Sequence, residues 1–259
     1  MLFLLSLIDM HDILITALIG AFIGTSSGML GLGGALAATP LLKIFVGLPP
    51  LLALASPLPS TLPSAISGAI VYRKLGLINY KLAKWVLVAA LPMNIVGSLL
   101  TKEFFSPAVL MYFTGAFIMF VGLTFFIRGW LLKEPPDEEV RHSVGWALLT
   151  GILTGLVSGV LAIGGGIVMI PLFVKINKLK VKSAFATSLF TIAVLAIPGS
   201  ITHYYLGHIH NTTMIVLMIM VVPFSYLGAS LAMRLRGKTL ERIFGTFMLA
   251  LAIYFILTQ

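Results

Sequence analysis

Two glycine-dense bends hold the residues of this chain best suited to a small charged ligand: Gly28-Met29-Leu30-Gly31-Leu32-Gly33-Gly34 and Gly159-Val160-Leu161-Ala162-Ile163-Gly164-Gly165-Gly166. Glycine lets the backbone turn and come close to a ligand, and a helix starting directly after such a bend offers unpaired amides to an anion. Hydroxyls follow each bend: Ser56, Ser60, Thr61 and Ser64 after the first, Thr187, Ser188 and Thr191 after the second. Amides and hydroxyls together can hold an oxyanion without a full positive charge, which permits release as well as capture. The expected binding residues are therefore Gly33, Gly34, Ser56, Gly164, Gly165, Gly166, Thr187 and Ser188. Lys43 and Lys175, just past each bend's helix, and Arg73 are placed either to attract anions at the two mouths or to snorkel at an interface. His203 is a candidate titratable gate, against the plainer reading of a loop histidine.

Other chemistries lack their parts. All eight carboxylates, Asp9, Asp12, Glu103, Glu134, Asp137, Glu138, Glu139 and Glu241, stand in tails, loops or the ends of apolar runs, so no proton relay, cation site or protease dyad is expected within them. The chain has no cysteine, which removes disulfides and thiolate metal sites. His203, His208 and His210 cluster, but no carboxylate joins them as a metal ligand. Gly24-Thr25-Ser26-Ser27-Gly28 matches a nucleophile elbow only formally, without strand or histidine partner, and Gly31-Leu32-Gly33-Gly34 has no βαβ unit around it to bind a dinucleotide. No cofactor is expected.

The elements that position these residues follow from composition. Of 259 residues 59% are hydrophobic and only 10% charged, far below the roughly 25% of a soluble domain, so the chain reads as a membrane protein. Its formal charge of +9 is a matter of loop placement and not a nucleic-acid footprint. The apolar start lacks the basic region of a cleavable signal. Apolar runs fall at about 13–27, 35–48, 51–72, 82–100 and 107–129, then 143–159, 167–176, 184–205, 212–233 and 241–258.

Those two sets of five are copies. At an offset of 131, eight of the twelve glycines in residues 1–128 meet another glycine, where chance gives about one. Pro40 meets Pro171, Pro92 meets Pro223, and Ser56 meets Thr187. Residues 1–131 and 142–259 are the expected repeats, joined by a polar linker at 132–141. If the chain crosses sides at every run, fifteen of the seventeen Lys and Arg lie on one side and only Lys43 and Lys102 on the other. The positive-inside rule makes the first side cytoplasmic and places both termini outside. An odd number of crossings per repeat inverts one copy relative to the other.

Runs 35–48 and 167–176 are shorter than the ~20 residues a spanning helix needs. The chain has either ten full spans or six spans plus two re-entrant hairpins, and both leave the charged loops where they are. Irregular backbone inside a bilayer survives where it is buried or lines a watery cavity, and inverted repeats with broken helices are an architecture of secondary transporters. The alternative for Gly20, Gly24, Gly28 and Gly151, Gly155, Gly159 is close helix packing, and for the hydroxyls ordinary interhelical hydrogen bonding.

Leu161-Ala162-Ile163-Gly164-Gly165-Gly166-Ile167-Val168-Met169-Ile170-Pro171-Leu172, followed by Ala186-Thr187-Ser188, resembles the sulfite exporter TauE/SafE family, and the first half repeats the pattern more loosely. Ala35 replaces the third glycine and Pro57 stands where the second copy has Ser188. The resemblance implies a multi-pass transporter of sulfite, sulfonates or related organosulfur anions, with a proton or sodium as coupling ion. The expectation is thus an all-α polytopic protein of the inner membrane, with two inverted repeats, moving small anions by alternating access. An anion channel, a carrier of another oxyanion or carboxylate, a membrane assembly factor and an intramembrane enzyme are the alternatives.

Overall fold

Within hydrocarbon every backbone amide and carbonyl must find a partner in the chain, and a helix does this locally. The computed structural model describes residues 10–104, 106–127, 143–234 and 237–257, without the side chains of 102–104, 125–127, 237–244 and 247–248. Among the described residues every regular element is a helix. In order these are α1 (Met10–Leu30), α2 (Ala35–Leu41) with a π-helical continuation over Leu42–Val46, α3 (Pro50–Ala55), α4 (Leu58–Lys74), α5 (Tyr80–Phe104) and α6 (Pro107–Ile127). There follow α7 (Val144–Leu161), α8 (Gly166–Lys175), α9 (Val181–Tyr205), α10 (Asn211–Arg234) and α11 (Gly237–Leu257). The polar linker at 132–141 lies outside the described residues, as do Met1 to Asp9.

Helix ends fall at the offset seen in the sequence. Leu30, Ala35, Pro50, Lys74 and Tyr80, moved by 131, become Leu161, Gly166, Val181, Tyr205 and Asn211, each of which bounds a helix of the second half. One expected run is not a single helix: 51–72 breaks at Ser56-Pro57 into α3 and α4, whereas its counterpart α9 is continuous. Pro57 and Pro59 remove backbone donors at the break, and the second half has Ser188 and Phe190 there.

Six helices are long and apolar enough to cross a membrane: α1, α5, α6, α7, α9 and α10. With 21 and 18 residues α1 and α7 reach about 31 and 27 Å, enough to cross without a hairpin partner. The half-length apolar helices are Ala35–Val46 and Gly166–Lys175.

Packing pairs helices of one half with helices of the other: α1 lies along α10, α5 along α7, and α4 against α9. Glycine permits the approach. A Cβ on Gly24 would stand 2.9 Å from the Val221 Cα, and one on Gly155 would stand 2.9 Å from the Ala90 Cα, the residue 131 before Val221. These small-residue stripes serve close helix packing. The perimeter is apolar, with Leu18, Phe120, Ile152 and Ile219 exposed, as hydrocarbon contact requires. The centre is the bends and short helices, where Gly31 to Leu42 and Leu161 to Ile167 are all buried.

Candidate functional site

The two bends meet. Gly33, Gly34, Gly164 and Gly165 all have left-handed backbone, with φ of +81°, +78°, +75° and +83°, a conformation L side chains enter only with strain. Gly34 and Gly165 are the residues before α2 and α8, so neither helix start has a side chain capping its amides. A Cβ on Gly166 would come within 2.6 Å of the Gly31 carbonyl oxygen, so the start of α8 presses on the first bend. Ile192 lies between the bends, its Cγ2 standing 3.4 Å from the Cβ position of both Gly33 and Gly164. Thr61, the counterpart of Ile192, touches Gly164 in the same way at 3.5 Å.

Of the expected binding residues, Gly33, Gly34, Gly164, Gly165, Gly166 and Ser188 are gathered at this junction. The Ser188 hydroxyl lies 2.7 Å from the Gly31 carbonyl and 3.0 Å from the Phe185 carbonyl of its own helix. Its single proton is shared between those acceptors, so Ser188 holds the first bend in place. Ser60, Thr61 and Thr191 give their protons to carbonyls of their own helices. Ser56 and Thr187 are turned to loops: the His210 amide donates to the Ser56 oxygen at 2.8 Å, and the Asn79 amide donates to the Thr187 oxygen at 3.0 Å. Both hydroxyls act there as acceptors and keep their own protons to donate.

The charged candidates lie away from the junction. Arg73 and Lys175 are exposed, and the Lys43 ammonium stands 5.5 Å over the Phe255 ring. His203 is not a loop histidine: it is wholly buried in the last turn of α9, with Nε2 3.1 Å from the Gly159 carbonyl. Its counterpart Tyr72 does the same for the other half, donating its hydroxyl to the Gly28 carbonyl at 3.2 Å. No group of three metal-ligating side chains occurs among the described residues. Ser26, the centre of the formal elbow motif, sits within α1 and bonds the Phe22 carbonyl.

Sequence reasoning missed Thr154. Its hydroxyl is buried without a partner, and its methyl lies 2.6 Å from the Cβ position of Gly165. Its counterpart is Ile23, so the repeat gave no signal for it. Asn94 is also wholly buried, its amide donating to Ser158 at 3.2 Å while its carbonyl oxygen has no partner. An open groove of about 430 Å³ lies elsewhere, between α6 and α7, walled by Phe113, Phe117, Phe120 and Val157 among other apolar residues, and suits hydrocarbon better than an anion.

Apolar helices with an apolar perimeter, six of them long enough to span, define a multi-pass membrane protein built around two buried glycine bends. The chain belongs to the sulfite exporter TauE/SafE family of membrane transporters, whose model matches residues 16–255. It is 24% identical to the probable membrane transporter protein YunE of Bacillus subtilis, over 88% of this chain and 92% of that one. A probable membrane transporter protein of Methanocaldococcus jannaschii is 24% identical over 93% of this chain and 94% of its own. One from Xylella fastidiosa is 25% identical over 95% of each. No solved structure matches the chain significantly.

Proposed function

We propose that the protein is a secondary transporter that moves small anions, sulfite, sulfonates or related organosulfur oxyanions, across the inner membrane by alternating access. Residues 1–131 and 142–259 act as inverted repeats with both termini outside. The substrate is held between the bends by the amides that open α2 and α8, with Ser56, Thr187 and the unpaired Thr154 hydroxyl as further donors. Ser188 positions the first bend. No catalytic step is involved.

The observation that carries this reading is the junction itself: two uncapped helix starts, one from each half, converge on buried backbone with an unpaired hydroxyl beside them. Burial of both bends favours a carrier over an open channel, because an anion reaches them only when the halves move. The family resemblance narrows the anion to organosulfur oxyanions. Flux of labelled sulfite, a sulfonate and a carboxylate into proteoliposomes, under imposed proton or sodium gradients, tests the proposal. Saturable sulfite or sulfonate flux is expected, and a folded protein that moves none of the three refutes it.

A further inference from the structure

Helices α4 and α9 end in the same way. Each closes at a left-handed glycine, Gly76 (φ +66°) or Gly207 (φ +72°), and the next amide returns to the helix: Leu77 donates to the Tyr72 carbonyl at 3.3 Å and His208 to the His203 carbonyl at 3.0 Å. In this Schellman arrangement the two residues so joined commonly make a hydrophobic contact. Tyr72 and Leu77 fit that rule, both packing in the apolar core. His203 and His208 replace them in the second half, with their Nδ1 atoms 3.3 Å apart, His203 wholly buried and His208 8% exposed. Burying two imidazoles has a desolvation cost that the other half avoids.

Their hydrogen bonds fix their protons. The Gly159 carbonyl can only accept, so His203 carries hydrogen on Nε2. In the neutral ring Nδ1 is then a bare lone pair, and the 3.3 Å contact requires hydrogen on Nδ1 of His208. The pair can take one more proton without losing this contact. His203 becomes an imidazolium protonated on both nitrogens, while His208 keeps one proton, moved to Nε2, and accepts through Nδ1. A second added proton would set two N–H groups and two charges face to face.

Two helix ends favour the charge that burial opposes. His203 stands in the last turn of α9 and its Nε2 meets a carbonyl in the last turn of α7, so the negative ends of two helix dipoles converge on one ring. Other charged groups on the packed elements are His210, its Nδ1 2.9 Å from the Thr213 hydroxyl, and Lys43 over Phe255 in the cluster that includes Ile209. Lys102 and Glu103 end α5, with side chains outside the described set. Arg73, Lys74 and Lys182 belong to the opposite end of α9, where Ser183 bonds the Leu77 carbonyl. At the corresponding end of α4, the Tyr72 phenol offers no group that titrates near neutrality.

We propose that His203 and His208 form a proton-binding site, loaded from the face of the 206–210 loop, whose protonation shifts the α7–α8 bend and couples anion movement to the proton. Gly159 lies three residues before that bend, so any change in its hydrogen bond is passed directly to the helix start at Gly166. The proton site stands on the geometry of the pair, and the coupling rests on the transport reading above.

The test uses the full chain in lipid nanodiscs and in proteoliposomes. His203→Tyr restores the residue of the other half and a donor for the Gly159 carbonyl, and His208→Gln is a second variant that keeps a polar group. With nitrogen-15-labelled histidine, ring shifts followed from about pH 8 to about pH 5 should show the two opposite tautomers giving way to one shared protonation, absent in His203→Tyr. In proteoliposomes an inward proton gradient should change labelled sulfite flux about tenfold in the unmodified protein and less than about twofold in either variant, while sulfite exchange without a gradient persists. Two rings that stay neutral over that range in a folded protein overturn the proposal, as does a variant with unchanged dependence on the gradient. A pair that titrates in a protein moving no anion upholds the proton site and refutes transport instead.

Discussion

Gly164 and Gly165 are neighbours with the same backbone conformation but different surroundings. Left-handed backbone alone costs an L residue about 1–2 kcal/mol. Gly164→Ala meets nothing closer than 3.4 Å, so its cost should stay near that figure. Gly165→Ala places a Cβ 2.6 Å from the Thr154 methyl and adds steric strain at the start of α8. Thermal unfolding in detergent and anion flux should therefore rank Gly165→Ala as the more damaging, and equal effects would remove the bend geometry as the reason. His210, half-buried after α9, is held below the ordinary imidazole range by desolvation. Its folded form prefers to stay neutral, so as pH falls through about 6.5 the unfolded chain takes the proton first and stability is lost. His210→Gln should flatten the fall in melting temperature between neutral and mildly acid buffer.

Helix pairing makes the opposite demand on glycine. In α1 and α7 the glycines lie in regular helix, and what matters is the absence of a side chain against α10 and α5. Gly24→Leu and Gly155→Leu should each separate a helix pair and leave protein that is degraded or aggregates when extracted, judged by yield and by gel filtration. Their effects should be similar, since the contacts with Val221 and Ala90 are counterparts at equal distance. A well-folded, monodisperse Gly24→Leu protein would show that these stripes are not packing surfaces. Ser188→Ala should be milder: it leaves the Gly31 carbonyl short of a donor, at a cost of about 1–3 kcal/mol.

At the scale of the whole molecule the proposed inversion of the halves has a direct reading, because the chain has no cysteine. Lys81→Cys and Tyr205→Cys put single thiols at exposed positions, one after the end of α4 and the other at the end of α9. A membrane-impermeant thiol reagent applied to intact cells should label Tyr205→Cys and spare Lys81→Cys until the membrane is opened. Labelling of both, or of neither, in intact cells would refute the opposed orientation.

The membrane class, the helical fold, the repeat offset and the glycine bends are legible in the amino-acid sequence, because composition and spacing act locally: hydrocarbon forces helices, and a glycine pair permits the turn. Helix boundaries agree with the repeat because the same residues start and stop both copies. What the hydroxyls and histidines do was not legible. Ser56 and Thr187 read as hydroxyls near a bend, yet their oxygens serve amides 154 and 108 residues away. His203 read as a loop residue because its run ends beside it, and only the fold brings it to a carbonyl 44 residues earlier. Thr154 has no counterpart to mark it and became visible through its missing partner. The period of the chain determined the elements and their duplication. Tertiary structure alone decided which polar group meets which, because those partners come from opposite halves and meet only when the helices pack.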